Sequence, residues 1–281
     1  MELTKGIIDL HYHSAPDVKP RKFNDLELME QGVRIGARGA VIKTHFSPTA
    51  GRAALVNAVR REKYPNSDFE LFGSIALNRS VGGLNPYALE TELKLGAKVV
   101  WLPTVDAENE FRKEGKSGGI ALIRDGKPVP ELQPIFHLIR DFGVCLQTGH
   151  LSGEECFLIV EAARTAGVKK IVITHPEYHI VGMTLAQQKQ IVRDYDVFLE
   201  REYAQPVNNQ FVSNLSDNIE AIREIGPEHI ILATDSGQIS TPFWQDAIQE
   251  SIWYYARQGI SKQEIRLMTS INPRIALELS E

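Results

Sequence analysis

A chain of 281 residues that is 43% hydrophobic, 24% charged and 8% aromatic can build a large core and is not a mostly disordered polymer. Its formal charge of −5 argues against a nucleic-acid binder, which needs a basic stripe to meet phosphates. It has no run of about 18 apolar residues, so no membrane span is expected. The opening residues lack the apolar core of a signal peptide. Cys145 and Cys156 fall in a predicted strand and the helix after it. Two buried free thiols, and with them a cytoplasmic location, are expected.

Short runs rich in Val and Ile predict strands near residues 6–11, 39–44, 70–76, 97–101, 143–148, 170–174, 196–200 and 229–234. Helical patterns lie between them, near 26–31, 52–61, 86–95, 131–141, 154–166, 185–194, 213–225 and 243–258. Gly96, Gly143, Gly167 and Gly226 stand where helices end and strands open, as helix-capping glycines do. Strand–helix alternation repeated eight times predicts an α/β fold, a (β/α)8 TIM barrel formed by residues 1–281 as one domain. A doubly wound open sheet is the alternative, but it would place a Gly-rich loop where this chain has His11-Tyr12-His13.

Residues 103–130 break the rhythm as an insertion after strand four. Within it, residues 120–129 read as a β-hairpin turning at Asp125-Gly126. Because the insertion follows a strand, it belongs at the C-terminal face, where barrel enzymes do their chemistry. A lid is expected, with a tolerated surface excursion as the alternative.

The polar residues concentrate at strand ends. In Asp9-Leu10-His11-Tyr12-His13, strand alternation points both imidazoles the same way, so they can share one divalent ion. Strand two ends with Lys43 and His45 on one face. His150 follows strand five, His175 follows strand six, Glu200 lies near the end of strand seven, and strand eight delivers Asp235. Five of the eight histidines thus stand at strand ends, while His137 and His229 read as structural and His179 stays open. Neutral imidazoles with one carboxylate suit Zn²⁺ or a similar metal. Such an ion brings the pKa of a bound water to roughly 7. Asp235 would take that proton, and a further histidine would hold an oxyanion or protonate the leaving group.

This ordered set resembles the amidohydrolase superfamily of metal-dependent hydrolases, and Asn272-Pro273-Arg274-Ile275-Ala276-Leu277 is similar to the Asn-Pro helix that often closes those chains. The resemblance spans nearly the whole sequence. It implies a distorted (β/α)8 barrel with the metal at its C-terminal mouth, with His11, His13 and Asp235 as ligands and His150 and His175 as the strand-five and strand-six histidines of the metal cluster. Two-metal members carry a bridging carbamylated Lys or a Glu at the end of strand four, where this chain reads Lys98-Val99-Val100-Trp101-Leu102-Pro103. The expectation is therefore one ion, zinc first with manganese or iron as alternatives. His11, His13, His150 and Asp235 would hold it, with His175 as acid/base or electrostatic partner; Lys43 or His45 is the alternative bridge to a second ion. The proton-shuttling Glu of deaminase-like members would fall at Gly153, and Ser152-Gly153-Glu154-Glu155 reads instead as a capping box.

Lys43, His45 and Arg52 flank the start of a helix, and cations beside free N–H groups suit an anion. A lysine inside a barrel also needs an anionic partner or ligand. Arg79, Lys113 and Lys116 read as ordinary surface charge. The leading expectation is a hydrolase cutting an amide, lactone or other ester bond of a small anionic substrate, with Asp235 and His175 catalytic. A decarboxylase or other lyase on the same site and a non-catalytic binding barrel are the alternatives. The apolar-aromatic helix near 243–255 is either a homo-oligomer contact or packed on its own barrel.

Overall fold

A computed structural model describes residues 2–207 and 210–279. Eight parallel strands follow the predicted order: β1 Ile8–Tyr12, β2 Gly39–Ile42, β3 in two pieces (Glu70–Phe72 and Ser74–Ala76), β4 Val99–Trp101, β5 Cys145–Gln147, β6 Ile171–Ile173, β7 Phe198–Glu202 and β8 Ile230–Ala233. β1, β2 and the first piece of β3 form one ladder, and the second piece continues through β4, β5, β6 and β7 to β8. The break in β3 falls at Gly73, where a Cβ would lie 2.3 Å from Ala50 Cα. Glycine there lets the start of the preceding helix, Ala50–Lys63, sit directly on the strand.

β1 and β8 meet through a parallel bridge between Tyr12 and Ser236, where the His13 N–H donates to the Ser236 carbonyl at 2.9 Å. The thin ladder at this seam is reinforced by the buried Asp9 carboxylate. It accepts from the Thr234 N–H at 3.2 Å, the Thr234 hydroxyl at 2.6 Å and the Trp244 indole N–H at 2.7 Å. The β1–β2 register also slips between Asp9 and Tyr12. These irregularities are the distortion of an otherwise regular (β/α)8 order.

Each strand is buried on both faces, as parallel barrel strands must be. Ile8, Leu10, Val41, Val99, Trp101, Cys145, Val172 and Ile231 fill the barrel interior. The alternate residues Val100, Leu146, Ile171, Ile173 and Leu199 face an outer helical layer. That layer comprises α1 Asp25–Ile35, α2 Ala50–Lys63, α3 Pro86–Lys94, α5 Leu132–Phe142, α6 Gly153–Thr165, α7 Leu185–Tyr195, α8 Leu215–Ile225 and α9 Trp244–Arg257, while a short α4, Glu108–Lys113, belongs to the insertion. Ser152 and Glu155 form the capping box expected at the start of α6. Trp244, Ile248, Ile252 and Tyr255 of α9 pack into the core, and Trp253 is 57% exposed.

The insertion carries the predicted hairpin, Ile123–Arg124 against Lys127–Pro128, with Asp125 and Gly126 at φ 49° and 71°. A second antiparallel hairpin, Ala204–Val207 with Gln210–Ser213, follows β7 where sequence patterning indicated no element. Its short strands alternate weakly and include Pro206, which ordinarily speaks against a strand. Cys145 and Cys156 are buried free thiols. Among the described residues no helix is long and apolar enough to cross a membrane.

Candidate metal centre and active site

The end of β1 supplies His11 and His13, and the turn after β8 supplies Asp235. Asp235 Oδ1 lies 3.2 Å from His11 Nε2 and 3.1 Å from His13 Nε2. The donor atoms of these three residues all fall within 4.8 Å of one another. Tetrahedral bonds of about 2.0–2.1 Å separate neighbouring donors by roughly 3.3 Å, so the set is spaced for one small divalent ion. Asp235 holds its position at φ 45°, an uncommon conformation for a residue with a side chain.

The orientation of His11 comes from β7, two strands away around the barrel. Glu200 Oε1 accepts from its Nδ1 at 2.8 Å, and Glu202 Oε1 lies 3.0 Å from the same nitrogen. With the proton on Nδ1, the lone pair of Nε2 faces Asp235. The Gln147 amide donates to the other oxygen of Glu200 at 2.7 Å, so the carboxylate is gripped from both sides. Both glutamates face inward because they lie two residues apart on β7.

Lys43, buried just past the end of β2, places its Nζ 2.8 Å from His11 Nε2 and over the Trp101 ring at 5.1 Å from the centroid. Trp101 occupies the end of β4, with its ring 5.7 Å from that of His11. Burial pulls the Lys43 ammonium down from its ordinary range against the support of Asp235, Glu200 and Glu202. Burial pushes the Asp235 carboxyl up, but His11, His13 and Lys43 outweigh it and hold it well below the usual carboxylate range. Glu202 goes the other way: burial, then repulsion from Glu200 and Asp235, raises it well above that range. Burial also pulls His13, His45 and His175 well below their ordinary values and lowers His150. Neutral imidazoles beside an ionised Asp235 are the protonation states that metal ligation requires.

His45, His150 and His175 line the same cavity of about 290 Å³ with His13, Lys43 and Asp235. They stand outside the tight three-donor set: the His150 and His175 ring centroids are 5.1 Å apart, and His175 is 5.9 Å from His11. His45 is anchored through Nδ1 to the Thr104 hydroxyl at 2.8 Å. His175, at φ 27°, packs edge-on against Tyr178, and its buried Nδ1 has no partner among the described residues.

The insertion reaches into the site. Glu110 of α4 accepts from His150 Nδ1 at 3.0 Å, and the Asn109 amide donates to the His150 and Ile180 carbonyls at 2.9 and 2.8 Å. Arg52, expected at the anion pocket, lies outside the cavity lining. Its guanidinium instead grips Asp25 through two 2.7 Å bonds and also donates to the Ser14 and Pro16 carbonyls, tying α2 to α1 and the β1–α1 loop. Sequence reasoning missed Glu202 and Glu110 and gave Glu200 no role. The visible signal was Glu200-Arg201-Glu202, two carboxylates one strand step apart in a buried strand.

The fold and the clustered side chains define a (β/α)8 barrel with histidines and carboxylates gathered at its C-terminal mouth. Residues 6–200 match the profile of a family of unknown function (DUF6282), and the chain belongs to that family. The matched stretch includes His11 through Glu200 and ends before Glu202 and Asp235. No match is found among curated proteins. Among solved structures the chain is similar to an amidohydrolase from Pseudomonas aeruginosa, with TM-score 0.68 and 14% identity over 99% of this chain and 97% of that one. The probable dipeptidase PvdM from Pseudomonas aeruginosa superposes with TM-score 0.66 and 12% identity over 98% of this chain and 96% of that one. A 2,6-dihydroxybenzoate decarboxylase from Rhizobium gives TM-score 0.52 and 14% identity over 98% and 99%. The fold is that of the amidohydrolase superfamily.

Proposed function

We propose that this protein is a metal-dependent hydrolase acting on an amide, lactone or other ester bond of a small anionic substrate. The observation that carries the reading is the convergence of His11 Nε2, His13 Nε2 and Asp235 Oδ1 in a buried set whose outer partners, Glu200 and Glu202, orient His11. These three residues would hold one divalent ion, zinc first with manganese or iron as alternatives, and His150, which lines the same cavity, is the candidate to complete the set. Bound there, the ion supplies Lewis acidity, polarising a carbonyl and bringing the pKa of a water towards roughly 7. Trp101 at the end of β4 supports one ion over two, because an indole offers no ligand there.

The remaining work falls to the chain. Asp235, held ionised, has its second carboxylate oxygen left to accept a proton when Oδ1 faces both ligand nitrogens. His175, neutral and backed by Tyr178, presents an imidazole able to hold a carbonyl oxygen or pass a proton to the leaving group. Lys43 and His45 line the cavity and give it the positive field that a small anionic substrate enters, and the insertion serves as a lid that steadies His150 through Glu110. The buried free thiols favour a reducing cytoplasmic setting. Exposed Trp253 leaves α9 as the surface for a homo-oligomer contact.

Metal analysis tests this first. About one equivalent of Zn, Mn or Fe, lost in His11→Ala, is expected. No metal after reconstitution would sink the enzyme reading, and two equivalents would overturn the single-ion one. A screen of small esters, lactones, amides and carboxylic acids follows, in which Lys43→Ala is expected to raise KM. The full-length similarity to a decarboxylase fold keeps one second reading, decarboxylation at the same site. Release of CO2 without consumption of any ester or amide would establish it in place of hydrolysis.

A further inference from the structure

The loop from β1 to α1 folds across the cavity mouth and is stitched to the turn after β8. The Lys22 N–H donates to the Gly237 carbonyl at 2.8 Å, and Arg21 forms an antiparallel bridge with Gln238. Residues paired in this way project side chains to the same side with Cβ atoms roughly 4.5–5.5 Å apart. Both Arg21 and Gln238 line the cavity that holds His13, Lys43 and Asp235. The Arg21 side chain is 3% exposed. Its Nε donates to Asp17 Oδ2 at 2.7 Å, and Nη2 lies 2.7 Å from the same oxygen as an ion pair. That grip fixes the guanidinium plane, and Nη1 has no acceptor among the described residues. Gln238 Nε2 points to Asp235 Oδ1 at 3.4 Å, which leaves Oε1 facing away from it. That Oε1 is buried and has no donor among the described residues.

We infer that Arg21 and Gln238 form the recognition subsite for a carboxylate with an adjacent N–H, so that the substrate class is a small N-acyl amino acid or similar acid. This rests on the hydrolase reading and deepens it. The carboxylate takes the free edge of the guanidinium, and the neighbouring N–H donates to Gln238 Oε1. The acyl carbonyl next to that N–H then lies on the side of Asp235 and the histidines. A buried guanidinium edge and a buried carbonyl oxygen, each lacking a protein partner, cost free energy until a ligand of this shape satisfies both. Lys19 lines the same cavity and adds to its positive field.

The test is isothermal titration of the metal-loaded protein with three probes, with KM replacing Kd for any that is turned over. N-acetylglycine has both features, N-acetylglycinamide lacks the charge, and N-acetylsarcosine lacks the N–H. N-acetylglycine is expected to bind about 10- to 100-fold tighter than either analogue, as one charge-assisted or buried hydrogen bond supports. Arg21→Gln combined with Asp17→Asn, which leaves no buried carboxylate unpaired, should erase the gap between acid and amide. Gln238→Leu should erase only the gap to N-acetylsarcosine. Should the double variant fail to fold, Arg21→Lys keeps the charge beside Asp17 and is expected to shrink the first gap by about tenfold. Equal binding of acid and amide by the unaltered protein, no binding of any probe, or gaps that survive these substitutions would overturn the assignment. Metal content, measured in parallel, separates the two readings: a metal-free protein that still discriminates refutes the hydrolase, and a metal-loaded one that does not refutes the subsite.

Discussion

Replacing Glu200 by Gln tests whether the β7 carboxylates set the ligand behaviour of His11. The substitution removes the charge that accepts the Nδ1 proton at 2.8 Å. It also creates a conflict, because Gln147 already donates to the opposite oxygen at 2.7 Å. A glutamine there cannot turn its carbonyl towards both donors. Loss of such an outer partner typically costs 10–100-fold in metal affinity, about 1.4–2.7 kcal/mol. Glu202 moderates the effect. Its oxygen stands 3.0 Å from the same nitrogen, and after burial the charge of Glu200 is the main cause of its raised pKa. With that charge gone, Glu202 ionises more readily and takes over the Nδ1 proton. Glu200→Gln alone is therefore expected near the tenfold end, and the double variant with Glu202→Gln near the hundredfold end. The assay is metal competition against a chromophoric chelator, with thermal unfolding of the chelated protein as the control for folding. Unchanged affinity in the double variant, with the fold intact, would refute the claim that these carboxylates orient His11.

Three other outcomes are expected. His175→Ala should retain about one equivalent of metal while turnover falls by about 10²–10⁴, the usual worth of a positioned acid or base; loss of the ion would make His175 a ligand instead. Glu110→Gln should lower metal affinity by about tenfold through His150 without shifting the unfolding temperature, and unchanged affinity would remove His150 from the ligand set. Gly237→Ala should destabilise the protein, because the residue sits at φ 111° and an added Cβ would lie 1.7 Å from the His13 carbonyl oxygen. Strain alone costs about 1–3 kcal/mol, and at about 2–4 °C per kcal/mol for a chain of this size calorimetry should record a clear drop in Tm.

The elements were legible for local reasons. Strands such as Val99–Trp101 and Ile171–Ile173 read as apolar runs because both faces are buried, and the turn at Asp125-Gly126 declares itself because few residues accept positive φ. The hairpin after β7 was not legible, since its short, weakly alternating strands carry little hydrophobic signal. The gathering of His11, His13, His45, His150, His175 and Asp235 at strand ends was equally open to reading, because a parallel barrel brings all its C-terminal strand ends to one mouth. Arg52 shows where that logic stops. Its place at a helix start suits an anion pocket, yet whether the guanidinium turns towards the cavity or towards Asp25 depends on how α1 packs against α2.

Sequence by itself determined the barrel order, the set of candidate ligands and the absence of a ligand at the end of β4, all consequences of residue type and spacing along one strand or helix. Only the tertiary structure decided which histidines share a donor set with Asp235, that Glu200 and Glu202 back His11 from β7, that Glu110 reaches His150 from the insertion, and that Arg21 faces Gln238. Each of those pairings joins residues from different elements, and their distances are set by strand register and loop closure. Neither leaves a period in the sequence.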